Sequence, residues 1–81
     1  MRVTIYGKPN CKPCEAAKAK MALIGVPYLF RDLDDVDHWR EDSRGIVAAR
    51  AEYEMSETLP IFAVDGTCMS YPAAMRMLRG R

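Results

Sequence analysis

Several things are scarce in this chain, and each shortage excludes something. Lysine and arginine (12) nearly balance aspartate and glutamate (11), leaving a net charge of +1. With no sustained basic run, a general electrostatic attraction to nucleic acid or to an anionic membrane is excluded. No apolar run approaches the roughly 20 residues needed to span a bilayer. Met1-Arg2 leads at once into Val3-Thr4-Ile5-Tyr6, without the long apolar segment of a signal peptide. There are 3 cysteines, and an odd count leaves one unpaired in any disulfide framework. A reducing, cytoplasmic location is therefore expected. There is 1 histidine, His38. A structural zinc needs four ligands, often as two cysteine pairs, and His38 and Cys68 form no second hook. Repeats, low-complexity tracts and linkers are also missing.

What is present is an ordinary globular composition. The chain has 81 residues, 49% of them hydrophobic, and reads as one domain over residues 1–81. A chain of this size buries only about 60% of its unfolded surface, which is marginal but sufficient for an independent fold.

The pattern of residues predicts an order of elements. Val3-Thr4-Ile5-Tyr6 is β-branched and aromatic, and Gly7-Lys8-Pro9-Asn10 breaks it. From Cys11 to Ile24 the rhythm is helical, with Cys14, Ala17, Met21 and Ile24 on one stripe and Lys18 and Lys20 pointing elsewhere. Gly25 and Pro27 end it. Tyr28-Leu29-Phe30 reads as a second strand running into the acidic Asp32-Leu33-Asp34-Asp35. Val36 to Met55 is helix-prone, capped by Asp35 or Asp37, with Val36 and Trp39 towards a core. Ser43-Arg44-Gly45 interrupts it, giving one bent helix or two short ones. Pro60 opens the strand Ile61-Phe62-Ala63-Val64. Asp65-Gly66 is a hairpin signal, and Thr67-Cys68-Met69 returns. Pro72 suits the first turn of a last helix, with Ala74, Met75 and Leu78 inward and Arg76 and Arg79 outward. The order β-α-β-α-β-β-α predicts an α/β fold, a four-stranded mixed sheet flanked by helices. Its two crossovers predict parallel pairing, with an antiparallel hairpin added.

The chemistry lies in Cys11-Lys12-Pro13-Cys14. Two thiols two residues apart, after a strand and at the start of a helix, are placed for thiol–disulfide exchange. The attacking species is a thiolate, and a free cysteine with a pKa near 8.5 is only a few per cent ionised at pH 7. At a helix start, unpaired N–H groups and the macrodipole favour the anion. Lys8 and Lys12 add positive charge nearby, so both are thiolate-stabilising candidates. Cys11 is then the nucleophile and Cys14, one turn on, the resolving thiol. Cys68 reads as a small apolar strand residue and Trp39 as packing. His38 is given no role. Arg76, Arg79 and Arg81 read as a solvated helix face.

Ile5-Tyr6-Gly7-Lys8-Pro9-Asn10-Cys11-Lys12-Pro13-Cys14 resembles the opening of glutaredoxins: a strand, Tyr-x-Lys-Pro-x, then Cys-x-x-Cys. Thr58-Leu59-Pro60 resembles the family's Thr-Val-Pro segment, whose proline is cis, and Val64-Asp65-Gly66 the hairpin after it. The resemblance implies a thioredoxin-like fold and a substrate- or glutathione-binding surface drawn from Tyr6, Pro13, Thr58, Leu59, Pro60 and Tyr71. It implies main-chain recognition of an extended peptide or glutathione by Leu59 beside Cys11.

Three features depart from the family. Pro13 stands where thioredoxin has its proline, which points to a potential nearer about −270 mV than the roughly −200 to −230 mV of glutaredoxins. Met69-Ser70-Tyr71-Pro72-Ala73-Ala74 replaces the Gly-Gly and acidic pair that help hold glutathione. The segment between the second strand and Thr58 is long, similar to phage-encoded glutaredoxins. Redoxins serving ribonucleotide reductase also lack the glutathione motif.

The expectation is therefore a small dithiol oxidoreductase, monomeric and without a bound cofactor. Its electron donor would be glutathione or a thioredoxin-reductase-type flavoenzyme. Its substrate would be a disulfide-containing protein, ribonucleotide reductase among the candidates, or a glutathione mixed disulfide. Two alternatives stay open: a glutathione-dependent iron–sulfur cluster carrier bridged through Cys11, and a non-catalytic thioredoxin-like adaptor.

Overall fold

The computed structural model describes residues 1–79. Along the chain run β1 (Val3–Gly7), α1 (Lys12–Ile24), β2 (Leu29–Asp32), α2 (Val36–Glu41), α3 (Ser43–Ser56), β3 (Ile61–Val64), β4 (Thr67–Ser70) and α4 (Tyr71–Arg79). The strands form one sheet in the order β2-β1-β3-β4. It is the expected α/β architecture, a four-stranded mixed sheet with helices on both faces.

Alternation along the central strands divides the interior in two. Val3, Ile5, Phe62 and Val64 face α1 and α4, where they pack with Ala17, Met21, Ala74, Met75 and Leu78. Tyr6 and Ile61 face the other way and pack with Leu33, Ile46 and Ala49 of the β2–α2 turn and α3. Both sides of β1 are covered, and all five of its residues are buried.

The pairing differs from the expectation in one respect. The α1 crossover brings β2 parallel to β1, with Thr4 opposite Leu29 and Tyr6 opposite Arg31. The second crossover does not repeat this: β3 runs antiparallel to β1, with Val3 opposite Val64. β2 leaves the sheet at the Gly7 end, where Asp32 lies opposite Gly7, and β3 enters at that same end, where Ile61 lies opposite Tyr6, so α2 and α3 return the chain to the end it left rather than crossing to the other. The β3–β4 hairpin is antiparallel as read, with Val64 opposite Thr67.

Element ends follow local chemistry. Cys11 is the N-cap of α1, and Gly25 closes that helix in the left-handed region at φ 71. The second strand begins one residue later than the sequence pattern suggests and ends two residues later, because Arg31 and Asp32 continue the pairing with β1. Asp35 caps α2 by accepting from the N–H groups of Asp37 and His38. Those two bonds hold its carboxyl below the usual range. The helical segment breaks at Asp42, one residue before the expected interruption, and Asp42 caps α3 by accepting from Gly45. Val36, expected to face a core, is exposed. Trp39 packs on the α3-side core. On α4, Arg76 and Arg79 point outward as expected; Arg81 lies outside the described residues.

Candidate functional site

Cys11 and Cys14 sit where β1 hands the chain to α1. The Cys11 backbone is extended (φ −102, ψ 110), as an N-cap requires, and Pro13 occupies the first turn. Proline is tolerated there because its missing N–H would have no helical partner. The Cys14 N–H points back at the Cys11 sulfur, 3.3 Å away. A helix N-terminus aimed at a sulfur stabilises negative charge on that sulfur.

The two thiols occupy different environments. Cys11 is half-buried, whereas Cys14 is fully buried, and both are free. Burial pushes the Cys14 thiol up to about 11, and its hydrogen bond with Cys11 pushes the same way. The Lys8 backbone N–H and the Lys18 charge act in the opposite sense. One thiol is thus accessible with a donor aimed at it, and the other is sheltered and held as the neutral form.

Gly7 explains how Cys14 fits. A methyl group on Gly7 would lie 2.6 Å from the Cys14 sulfur and 3.3 Å from the Phe30 ring. The sequence pattern marks this glycine as a strand breaker. It is instead the last residue of β1, and its missing side chain is the space the resolving sulfur occupies.

An apolar groove of about 530 Å³ opens beside the pair, lined by Pro13, Ala16, Thr58, Leu59, Pro60, Ser70, Tyr71 and Pro72. Five residues singled out in the sequence meet here: Pro13, Thr58, Leu59, Pro60 and Tyr71. The Leu59–Pro60 peptide bond is cis. Pro60 is buried and Leu59 half-buried. Thr58 is tied to Ser56, its N–H and hydroxyl both bonded to the Ser56 Oγ (3.3 and 3.1 Å). The Tyr71 ring tilts at 52° to Phe62, with centroids 6.0 Å apart. Among the described residues, none that lines the groove carries a charge.

Three expectations change. Tyr6 is not part of this groove. It belongs to the opposite face of the sheet, where its hydroxyl donates to Asp42 Oδ2 at 2.6 Å. Burial and that carboxylate raise its pKa. Even numbering along β1 decides this: Tyr6 points away from the side that Gly7 and Cys14 share. Lys8 does not direct its ammonium to the thiols. Its Nζ lies 3.7 Å from Asp34 Oδ2 and 5.2 Å from the Tyr53 ring centroid; its contribution at Cys14 comes from the main chain. Lys18, expected to point away, lies over Phe30 with Nζ 3.7 Å from the ring centroid. Lys12 is exposed at the start of α1.

Two further residues organise the site's surroundings without a signal in the sequence. Arg50 donates to the Leu33 carbonyl (2.7 Å) and to Asp34 (2.9 Å), pinning the β2–α2 turn to α3. His38 accepts the Asp32 N–H at 2.7 Å through Nδ1. Cys68 is half-buried on the α3 side, and burial raises its pKa, with Glu52 adding to the effect. It lines a second cavity of about 440 Å³ with Tyr6, Arg31 and Arg44, on the sheet face away from Cys14. Among the described residues, no three histidine, cysteine, aspartate or glutamate side chains are placed to hold a metal ion. None of the described helices is long and apolar enough to cross a membrane.

Known proteins place this geometry. No curated protein matches the chain. A solved structure of the thioredoxin-like protein BC3987 is 22% identical, with a TM-score of 0.59 over 95% of this chain and 99% of that one. A mutant of the same protein is 20% identical, with a TM-score of 0.65 over 96% of this chain and 95% of that one. At such identities the likeness concerns the fold, which is thioredoxin-like. The Glutaredoxin family model matches residues 3–69, from β1 through Cys11 and Cys14 to Met69 in β4. The protein is a thiol redox protein and belongs to the glutaredoxin family.

Proposed function

We propose that the protein is a dithiol oxidoreductase that reduces disulfides in other proteins. One observation carries this reading. The half-buried Cys11 sulfur faces the Cys14 N–H at 3.3 Å, while the Cys14 sulfur waits fully buried one turn on. The accessible thiolate attacks the substrate disulfide, forming a mixed disulfide and releasing one substrate thiolate. Cys14 then loses its proton and attacks the Cys11 sulfur. The internal disulfide forms, and the second substrate thiol leaves with the proton. Two electrons have passed from the Cys11–Cys14 pair to the substrate. Catalysis requires a second reductant to restore the dithiol.

The groove supports a substrate presented as extended chain, since Leu59 and Pro60 border it next to the start of α1. Its lack of cationic side chains favours a protein disulfide over glutathione, which carries two carboxylates. A thioredoxin-reductase-type flavoenzyme is accordingly the proposed donor, with glutathione the second candidate. Ribonucleotide reductase fits as substrate, and a monomer in the cytoplasm is the proposed working form.

Turnover with NADPH plus thioredoxin reductase, compared with turnover on glutathione plus glutathione reductase, tests the donor. Faster turnover with glutathione would overturn that assignment. Cys14→Ser should abolish protein-disulfide reduction while trapping the substrate on Cys11, visible as a mass adduct. A fully active Cys14→Ser protein would show that resolution does not use Cys14.

A further inference from the structure

Resolution asks the buried Cys14 thiol to ionise in a site that disfavours charge, and one cation is placed to help. Lys18 lies four residues after Cys14 on α1, so the two side chains neighbour each other along one helix face. Its ammonium is folded back onto the protein. It rests 3.7 Å from the centre of the Phe30 ring, and its side chain is only 25% exposed. The Phe30 ring edge and the Cys14 sulfur both border the point where a Gly7 side chain would be. Phe30 thereby holds a charge beside the resolving thiol.

The plain alternative is a helix-surface ion pair, because Lys18 also bonds Glu15 at 3.3 Å. Such pairs at three-residue spacing are common and contribute little. The ring contact and the three-quarters burial of the side chain go beyond that need. A cation over an aromatic face at this distance is held there by the ring quadrupole.

The geometry points to Lys18 as a positioning residue for resolution: fixed on Phe30, its ammonium stabilises the Cys14 thiolate as it forms. This rests on the dithiol mechanism proposed above. The other groups that act on Cys14 are the Cys11 sulfur, which opposes ionisation, and the Lys8 main-chain N–H, which favours it together with the Lys18 charge. Glu15 partly offsets the lysine through the bond it makes, and the β2 side contributes the uncharged Phe30. Lys18 keeps its own proton throughout. The Cys14 proton leaves with the departing thiol, so the step remains Cys14–SH plus Cys11–S–S–R giving the internal disulfide and R–SH.

A single-turnover reaction with equimolar DTNB, an aromatic disulfide that releases a coloured thiolate, separates the two steps. A Cys68→Ser background removes the third thiol. The first phase is attack by Cys11, and the second is release by Cys14. Lys18→Met should leave the first phase unchanged and slow the second about tenfold at pH 7. Its pH profile should move up by about one unit, since one pKa unit is a tenfold change in thiolate fraction. Lys18→Arg should restore the second phase to within about twofold. Phe30→Leu keeps the charge but frees it, and should slow the second phase by less than Lys18→Met. An unchanged second phase and pH profile in Lys18→Met would overturn the proposal. So would an arginine variant as slow as the methionine one, or a larger loss in Phe30→Leu, because packing would then explain the effect. An unchanged first phase also reports that each variant is folded. Absence of any second phase in the parent protein would instead overturn the dithiol mechanism.

Discussion

Gly7 shows how much one residue can decide. The last position of β1 must carry no side chain, since even a methyl would sit 2.6 Å from the Cys14 sulfur. Gly7→Ala therefore has to move the resolving thiol or the strand end. Overpacking of this kind costs about 1–3 kcal/mol. The expected result is a lower urea midpoint under reducing conditions, with slower release in the second DTNB phase. A variant with unchanged midpoint and release would mean that the sulfur has slack the geometry does not show. The spacing of Cys11 and Cys14 is legible in the chain itself. The need for glycine at position 7 is not, because it arises only when a helix residue is laid against the strand.

At the scale of elements, the N-terminus of α3 is joined to the sheet through Asp42. One carboxylate caps the helix by accepting from Gly45 at 3.1 Å and accepts the Tyr6 hydroxyl at 2.6 Å. Gly45 must be small for the same reason: an added methyl would collide with the Tyr6 hydroxyl and the Asp42 carboxylate. Asp42→Ala removes a cap worth about 1 kcal/mol and leaves a buried hydroxyl unpartnered at about 1–3 kcal/mol. The expected loss is about 2–4 kcal/mol in urea unfolding. Tyr6→Phe should lose about 1 kcal/mol, since Asp42 still caps α3. If the double variant lost the sum of the two single losses, the pair would not be coupled. An interruption after α2 is readable from Ser43-Arg44-Gly45. The partner of Tyr6, 36 positions away, is not, and this is why a tyrosine beside a redox motif reads as part of the binding surface.

The whole molecule is a sheet with chemistry at one corner and packing on both faces. Phe62, fully buried, anchors the α1 and α4 side, and Tyr71 leans on it from the groove. The same interior that holds the groove wall also shelters Cys14, so stability and thiol ionisation are linked. The folded state raises the Cys14 thiol to about 11, whereas in the unfolded chain it ionises near 8.5. The unfolded state therefore releases the proton first. The contribution of Cys14 is complete below about pH 8.5 and is lost as pH rises towards 11. Cys68 shifts in the same direction. Urea midpoints of the reduced protein should fall between about pH 8.5 and 11, and Cys14→Ser should flatten part of that fall. A slope unchanged by the substitution would place its origin elsewhere.

By itself the sequence determined the local features: which segments form strands and helices, where Gly25 and Pro72 punctuate them, and which two cysteines carry the chemistry. These follow from residue type and short spacing, which act before the chain is folded. Tertiary structure decided what depends on contacts between distant residues. It turned β3 antiparallel to β1, directed the Lys8 ammonium to Asp34, and placed Tyr6 on the face away from Cys14. It also laid Lys18 on Phe30, where the face of an aromatic ring holds a charge that the linear pattern assigns to solvent.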